Sequence, residues 1–134
     1  MAESWILDDF AEALGQFESA LAQKADSDLL RAGCIQYFEF TFELAWKAIK
    51  VAADEVGLQG CGSPKSCLKI AYMQAWIDDE IVWLEMLEAR NRMSHTYHAR
   101  EALKVYDALP RFIAPMRGLL ANLGQDPPRA EGIG

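Results

Sequence analysis

The chain has 134 residues, 51% hydrophobic and 25% charged, with a formal net charge of −7. Such a length suits one domain and allows about two-thirds of the unfolded chain's surface to be buried. The acidic balance argues against general coating of nucleic acid, which rests on neutralising phosphates. No run of about 18 apolar residues is present to span a membrane.

The opening stretch, MAESWILDDF, has no basic segment ahead of an apolar one, so it does not read as a secretory signal, and a cytoplasmic location is the expectation. Cys34, Cys61 and Cys67 include no CxxC pair, so neither a disulfide framework nor a zinc site is expected. No internal repeat is visible. β-branched residues are few and the apolar spacing is helical throughout, which predicts an all-α fold.

The first helix is expected over about 4–24, with Trp5, Phe10, Leu14, Phe17 and Leu21 as its apolar stripe. Asp26, Ser27 or Asp28 then offers a cap for a long second helix over about 28–56. On that helix Arg31, Phe38, Phe42, Ala45, Trp46 and Ile49 share one face, and Tyr37, Leu44 and Ala48 another. Gln36, Glu39, Glu43, Lys47 and Lys50 fill only a narrow arc, and Glu43 and Lys47 are spaced for an ion pair. A helix so widely apolar is central to its bundle or shared with a partner chain.

Residues 57–62 form a glycine-rich loop, after which Ser63 and Pro64 supply the cap and first turn of a third helix ending near Trp76. Asp78 is the expected cap of a fourth helix. A fifth, over about 99–123, carries Leu103, Tyr106, Leu109, Ile113, Met116 and Leu120, with a break or kink at Pro110 or Pro115. The expected architecture is an antiparallel bundle of four to five helices over residues 1–124, with 125–134 a disordered tail.

The fourth helix ends in ARNRMSHTYHAR (89–100), which holds both histidines of the chain, His95 and His98. At roughly 100° per residue, Arg90, Ser94 and Tyr97 prolong the arc of Trp83 and Leu87, with Asn91, His95 and His98 beside it. Polar groups on a buried-side arc need partners, since each unsatisfied one costs about 1–3 kcal/mol. They line a cleft or an interface, or else the helix end stands in water. Plain structural roles fit too: a histidine near a helix C-terminus, an Arg90–Glu43 ion pair, a half-buried Tyr97.

The chemistry open to these residues is definite. A histidine titrating near neutrality can take a proton from a ribose 2′-hydroxyl or give one to a leaving oxygen. An arginine can fork onto a phosphate, and a tyrosine can stack on a base. No carboxylate lies within this stretch, so no local metal site is offered, and no cofactor is implied. A two-fold dimer joining the fourth helices would bring two such clusters together.

Through IQYFEFTFELAWKAIK (35–50), the SPK start at Ser63, IDDEIVWLEMLEARNRMSHTY (77–97) and the closing helix, the chain resembles the HEPN proteins. Within them it is similar to the nucleotidyltransferase substrate-binding branch and its HepT-type toxins. The resemblance implies an all-α homodimer and a small nucleotidyltransferase partner, usually encoded next door. It implies that Arg90 and His95 correspond to an R-x4-6-H signature, a metal-independent endoribonuclease centre composed across the dimer. Tyr97 completes the fuller R-x4-H-x-Y form and is where the partner would attach adenylate to silence the toxin, with Asn91 and Ser94 in support. The expected function is therefore the HEPN subunit of a toxin–antitoxin-like module that binds RNA or nucleotide at the dimer cleft. The alternative is a non-catalytic subunit that presents a nucleotide or other substrate to the nucleotidyltransferase. A bare scaffold, whose polar arc only specifies dimer pairing, is the third reading.

Overall fold

The computed structural model describes residues 4–95 and 98–124, with side chains for 5–93 and 98–124. It is all-α among those residues: α1 (Ser4–Ala22), α2 (Asp28–Glu55), α3 (Pro64–Met73), α4 (Glu80–His95), α5 (Ala99–Ala108) and α6 (Ile113–Gly124). A 3-10 turn, Leu109–Phe112, joins α5 to α6. The last two helices thus replace the single fifth one expected, and the break falls on Pro110, which lacks the N–H that a continuous helix needs. Residues 125–134, read as a tail, lie outside the described residues.

Local sequence sets the helix ends. Ser27 caps α2 by accepting from the Leu30 amide at 3.2 Å. At α3, Ser63 accepts from the Ser66 amide while Ser66 Oγ accepts from the Ser63 amide, a reciprocal box ahead of Pro64. The expected Asp78 cap of α4 is corrected to Asp79, whose carboxylate accepts from the Val82 amide at 3.2 Å. Being one residue nearer the helix, Asp79 can reach the orphan donor. α3 stops at Met73, short of Trp76, because Ala75 turns left-handed at φ 62° and the Trp76 amide bonds back to the Ala71 carbonyl.

α2 is the centre of the bundle and touches α1, α3, α4, α5 and α6. Phe38 is fully buried and meets Phe17 of α1, Phe42 of its own helix and Phe112 of the 3-10 turn, with ring centroids 5.4–6.2 Å apart. Such burial contributes about 1.5–3 kcal/mol per side chain. Thr41, the buried polar residue of α2, directs its hydroxyl at the carbonyls of Tyr37 (2.7 Å) and Ala13 (3.2 Å), which ties α2 to α1. No helix among the described residues is long and apolar enough to cross a membrane.

Three details depart from the sequence reading. Trp5 is 57% exposed, because Ile6 takes the buried position on α1 and Trp5 turns to the opposite flank. On α5 the core-facing residues are the smaller Ala102 and Val105, while Leu103 stays exposed. Cys61 and Cys67 form a disulfide with Cα atoms 4.4 Å apart, since the turn into α3 folds the end of the glycine loop over its first turn. Cys34 is a free buried thiol whose pKa burial raises.

Candidate functional site

α4 packs on α2 through Trp83, which is buried against Phe42 with ring centroids 6.3 Å apart. Two turns further along, the same face of α4 presents Arg90. The buried stripe runs Trp83, Met86 and Ala89, with Leu84, Leu87 and Met93 half-buried beside it. Arg90 thus lies at the edge of the core, as the angular reading expects.

Its partner is Glu43 of α2. Arg90 donates from Nε at 2.8 Å and from Nη2 at 2.5 Å to the same Glu43 oxygen, Oε2. The other oxygen, Oε1, accepts from the Trp46 indole N–H at 3.1 Å. Arg90 Nη1 donates to Asn91 Oδ1 at 3.0 Å. One guanidinium edge is therefore clamped against α2 by a carboxylate that is itself held by Trp46. Arg90 and Glu43 keep 25% and 33% side-chain exposure, so the pair reaches the surface.

Glu39, one turn before Glu43, belongs to the same charge group. Burial raises its pKa, the nearby Arg90 charge lowers it, and Glu43 raises it again. Residues 89–100 hold no acid, and the fold supplies two from α2. The sequence offers Glu43 both to Arg90 and to Lys47. Glu43 turns to Arg90, because a pair at the core edge is screened less than one along a solvated face. Nothing in the local sequence marked Glu39, except that it shares the narrow polar arc of an otherwise apolar helix.

α4 ends at His95, and His98 is the exposed N-cap of α5, so the helix does not carry on through the histidine pair. The backbones of Ser94 and His95 belong to α4; their side chains, and Thr96 and Tyr97, lie outside the described residues. Asn91 is exposed on the flank. Arg92 faces Glu88 (3.5 Å) and Glu101 (3.7 Å), bridging α4 to α5. No group of three or more His, Cys, Asp or Glu able to hold a metal ion occurs among the described residues.

Comparison with known proteins agrees with this architecture. A family model described as nucleotidyltransferase substrate binding protein like matches residues 6–125. A Haemophilus influenzae protein described as a probable ribonuclease HepT is 34% identical over 105 residues, covering 73% of this chain and 70% of that protein. A crystal structure from Thermus thermophilus superposes with a TM-score of 0.79 at 28% identity, over 87% of this chain and 99% of that one. HI0074 from Haemophilus influenzae, described as having the fold of a substrate binding domain of a nucleotidyltransferase, does so with a TM-score of 0.76 at 29% identity. That match covers 89% of this chain and 99% of HI0074.

Proposed function

The chain belongs to the nucleotidyltransferase substrate binding protein like family, within the HEPN proteins, and on that basis we propose that it is the HEPN subunit of a two-component module with a small nucleotidyltransferase. It works as a homodimer and cleaves RNA at a cleft composed by both copies, with Arg90 and His95 as the catalytic residues. The observation that carries this reading is the hold of Glu43 on Arg90. That contact fixes the guanidinium at the surface before any substrate arrives.

A single copy contributes one Arg90 and one His95, and two helix ends meeting about a two-fold axis would bring two such pairs to one cleft. His95 accepts the proton of a ribose 2′-hydroxyl, whose oxygen attacks the adjacent phosphorus. The P–O5′ bond breaks, the leaving oxygen takes a proton from the second copy's His95, and the products are a 2′,3′-cyclic phosphate and a 5′-hydroxyl. Arg90 stabilises the charge that builds on the phosphoryl oxygens. Asn91, through Arg90 Nη1, steadies the guanidinium. Ser94 orients the phosphate or the imidazole, and Tyr97 stacks on a base. Tyr97 is also the residue on which the nucleotidyltransferase places adenylate to silence the cleft.

The test compares RNA cleavage by wild type and His95→Ala at matched dimer content. We expect cleavage to fall at least 100-fold in His95→Ala with its helical signal unchanged. Equal cleavage by the two proteins overturns the catalytic assignment. The described fold of HI0074 favours one second reading, a subunit that only presents substrate to the nucleotidyltransferase. In that case wild-type protein leaves RNA intact, and Arg90→Ala weakens nucleotide binding.

A further inference from the structure

A groove of about 540 Å³ runs between α1 and α2, on the side where Glu43 reaches the surface. Its floor is apolar: Ala13, Tyr37, Phe40 and Leu44. Phe40 is 54% exposed and Tyr37 37%, so the apolar lining of the groove faces solvent. The rim is anionic, with Asp9 and Glu12 on α1 and Glu43 on α2, and no lysine or arginine lines it. The lining extends from Asp9 to Gln16 on one helix and from Tyr37 to Leu44 on the other, about two turns, or 10 Å, of each.

Two helices that leave an apolar trough of this length between them form a seat for a third, whose anchors recur at i, i+3, i+4 and i+7. The rim sets the charge of the occupant: carboxylates flanking an apolar floor favour lysine or arginine beside apolar anchors. We propose that this groove receives a cationic amphipathic helix of the nucleotidyltransferase subunit. The identity of that partner rests on the functional reading above; the chemistry of the groove does not. A second copy of this chain fits less well. α1 carries Asp8, Asp9, Glu12 and Glu18 and no basic residue, so two such faces repel. Among the described helices that pair exposed apolar with basic residues, α5 sets only Leu103 beside Arg100 and Lys104, and α3 sets Lys65 and Lys69 in line with Tyr72 and confines its exposed anchors to Tyr72 and Met73. That is one turn of apolar surface against a floor of two.

Glu43 belongs to both places: it lines the groove and holds Arg90. A cation seated at that end of the groove competes with Arg90 for the same carboxylate. Docking of the partner would thereby loosen Arg90 without touching His95.

The probe is a labelled 18-residue helical peptide with leucines at i, i+3, i+4 and i+7 and lysines on both flanks. It is titrated into the full chain alongside a twin whose lysines are glutamates. We expect the lysine peptide to bind at least tenfold more tightly than its twin. Phe40→Ala and the double variant Asp9→Lys/Glu12→Lys should each weaken it about tenfold, with helical content and sedimentation unchanged. The proposal is overturned if neither peptide binds, if the two bind alike, or if the variants bind as wild type does. It is equally overturned if either variant alters the mass of the chain without peptide, which would make a second copy the occupant. RNA cleavage by wild type is unaffected by any of these outcomes, so the two readings fail separately.

Discussion

Replacing Glu43 by Gln leaves an acceptor for the Trp46 indole and removes the charge that holds Arg90. The cost follows from where the pair lies. Fully exposed pairs contribute about 0.2–1 kcal/mol, whereas losing one partner of a fully buried pair costs about 3–5 kcal/mol. With Arg90 25% and Glu43 33% exposed and two donors on one oxygen, the coupling should fall between, at about 1–2 kcal/mol. The assay is urea unfolding of wild type, Glu43→Gln, Arg90→Met and the double variant, closed into a cycle. Glu39 lies close enough to capture a released Arg90 and mute the loss, so the cycle is repeated in a Glu39→Gln background. A coupling below about 0.5 kcal/mol in both backgrounds would refute the clamp and with it the argument that Arg90 is preset for substrate.

Two further changes test the surroundings. Burial places the folded pKa of Glu39 above its ordinary value of 4.5, so its ionisation opposes folding: wild type is relatively most stable below that value and loses the advantage as pH rises through the raised one. Glu39→Gln should accordingly be more stable than wild type at pH 7 and lose that lead toward pH 4, read as melting temperature against pH; a lead that grows on acidification contradicts the assignment. At Ala75 the left-handed conformation costs an L-residue about 1–2 kcal/mol, partly offset in glycine by its freer unfolded chain, so Ala75→Gly should gain about 0.5–1 kcal/mol. A lower melting temperature in that variant would show that α3 does not end as described.

The helices were legible because each long one carries apolar residues on a 3.6-residue period and polar caps at its ends. Ser27, Ser63 and the break at Pro110 follow from side-chain and backbone chemistry within a few residues. The central place of α2 was legible from the narrowness of its polar arc. What escaped depends on three-dimensional neighbours. Bulk alone picks Leu103 for the core of α5, but the space against α2 takes Ala102 and Val105. Spacing offers Glu43 to Lys47 as well as to Arg90, and the choice waits on packing, since α4 brings the better-shielded guanidinium. The Cys61–Cys67 bond needs the turn into α3, which no cysteine count contains. Arg90 and Asn91 of the candidate site are joined by a hydrogen bond, while the acids beside them come from a helix some 50 positions earlier.

The 3-10 turn between α5 and α6 also acts as a phase corrector. The buried positions Ala102, Val105, Leu109, Phe112, Met116, Leu119 and Leu123 alternate steps of three and four, a seven-residue repeat held across both prolines. A straight α-helix lags such a repeat by about 20° each time, or about 60° over the three repeats here. Residues wound at three per turn advance about 20° more apiece than α-helical ones, so the turn offsets part of that lag. One seam of buried residues thus runs from Ala102 to Leu123 across the proline break.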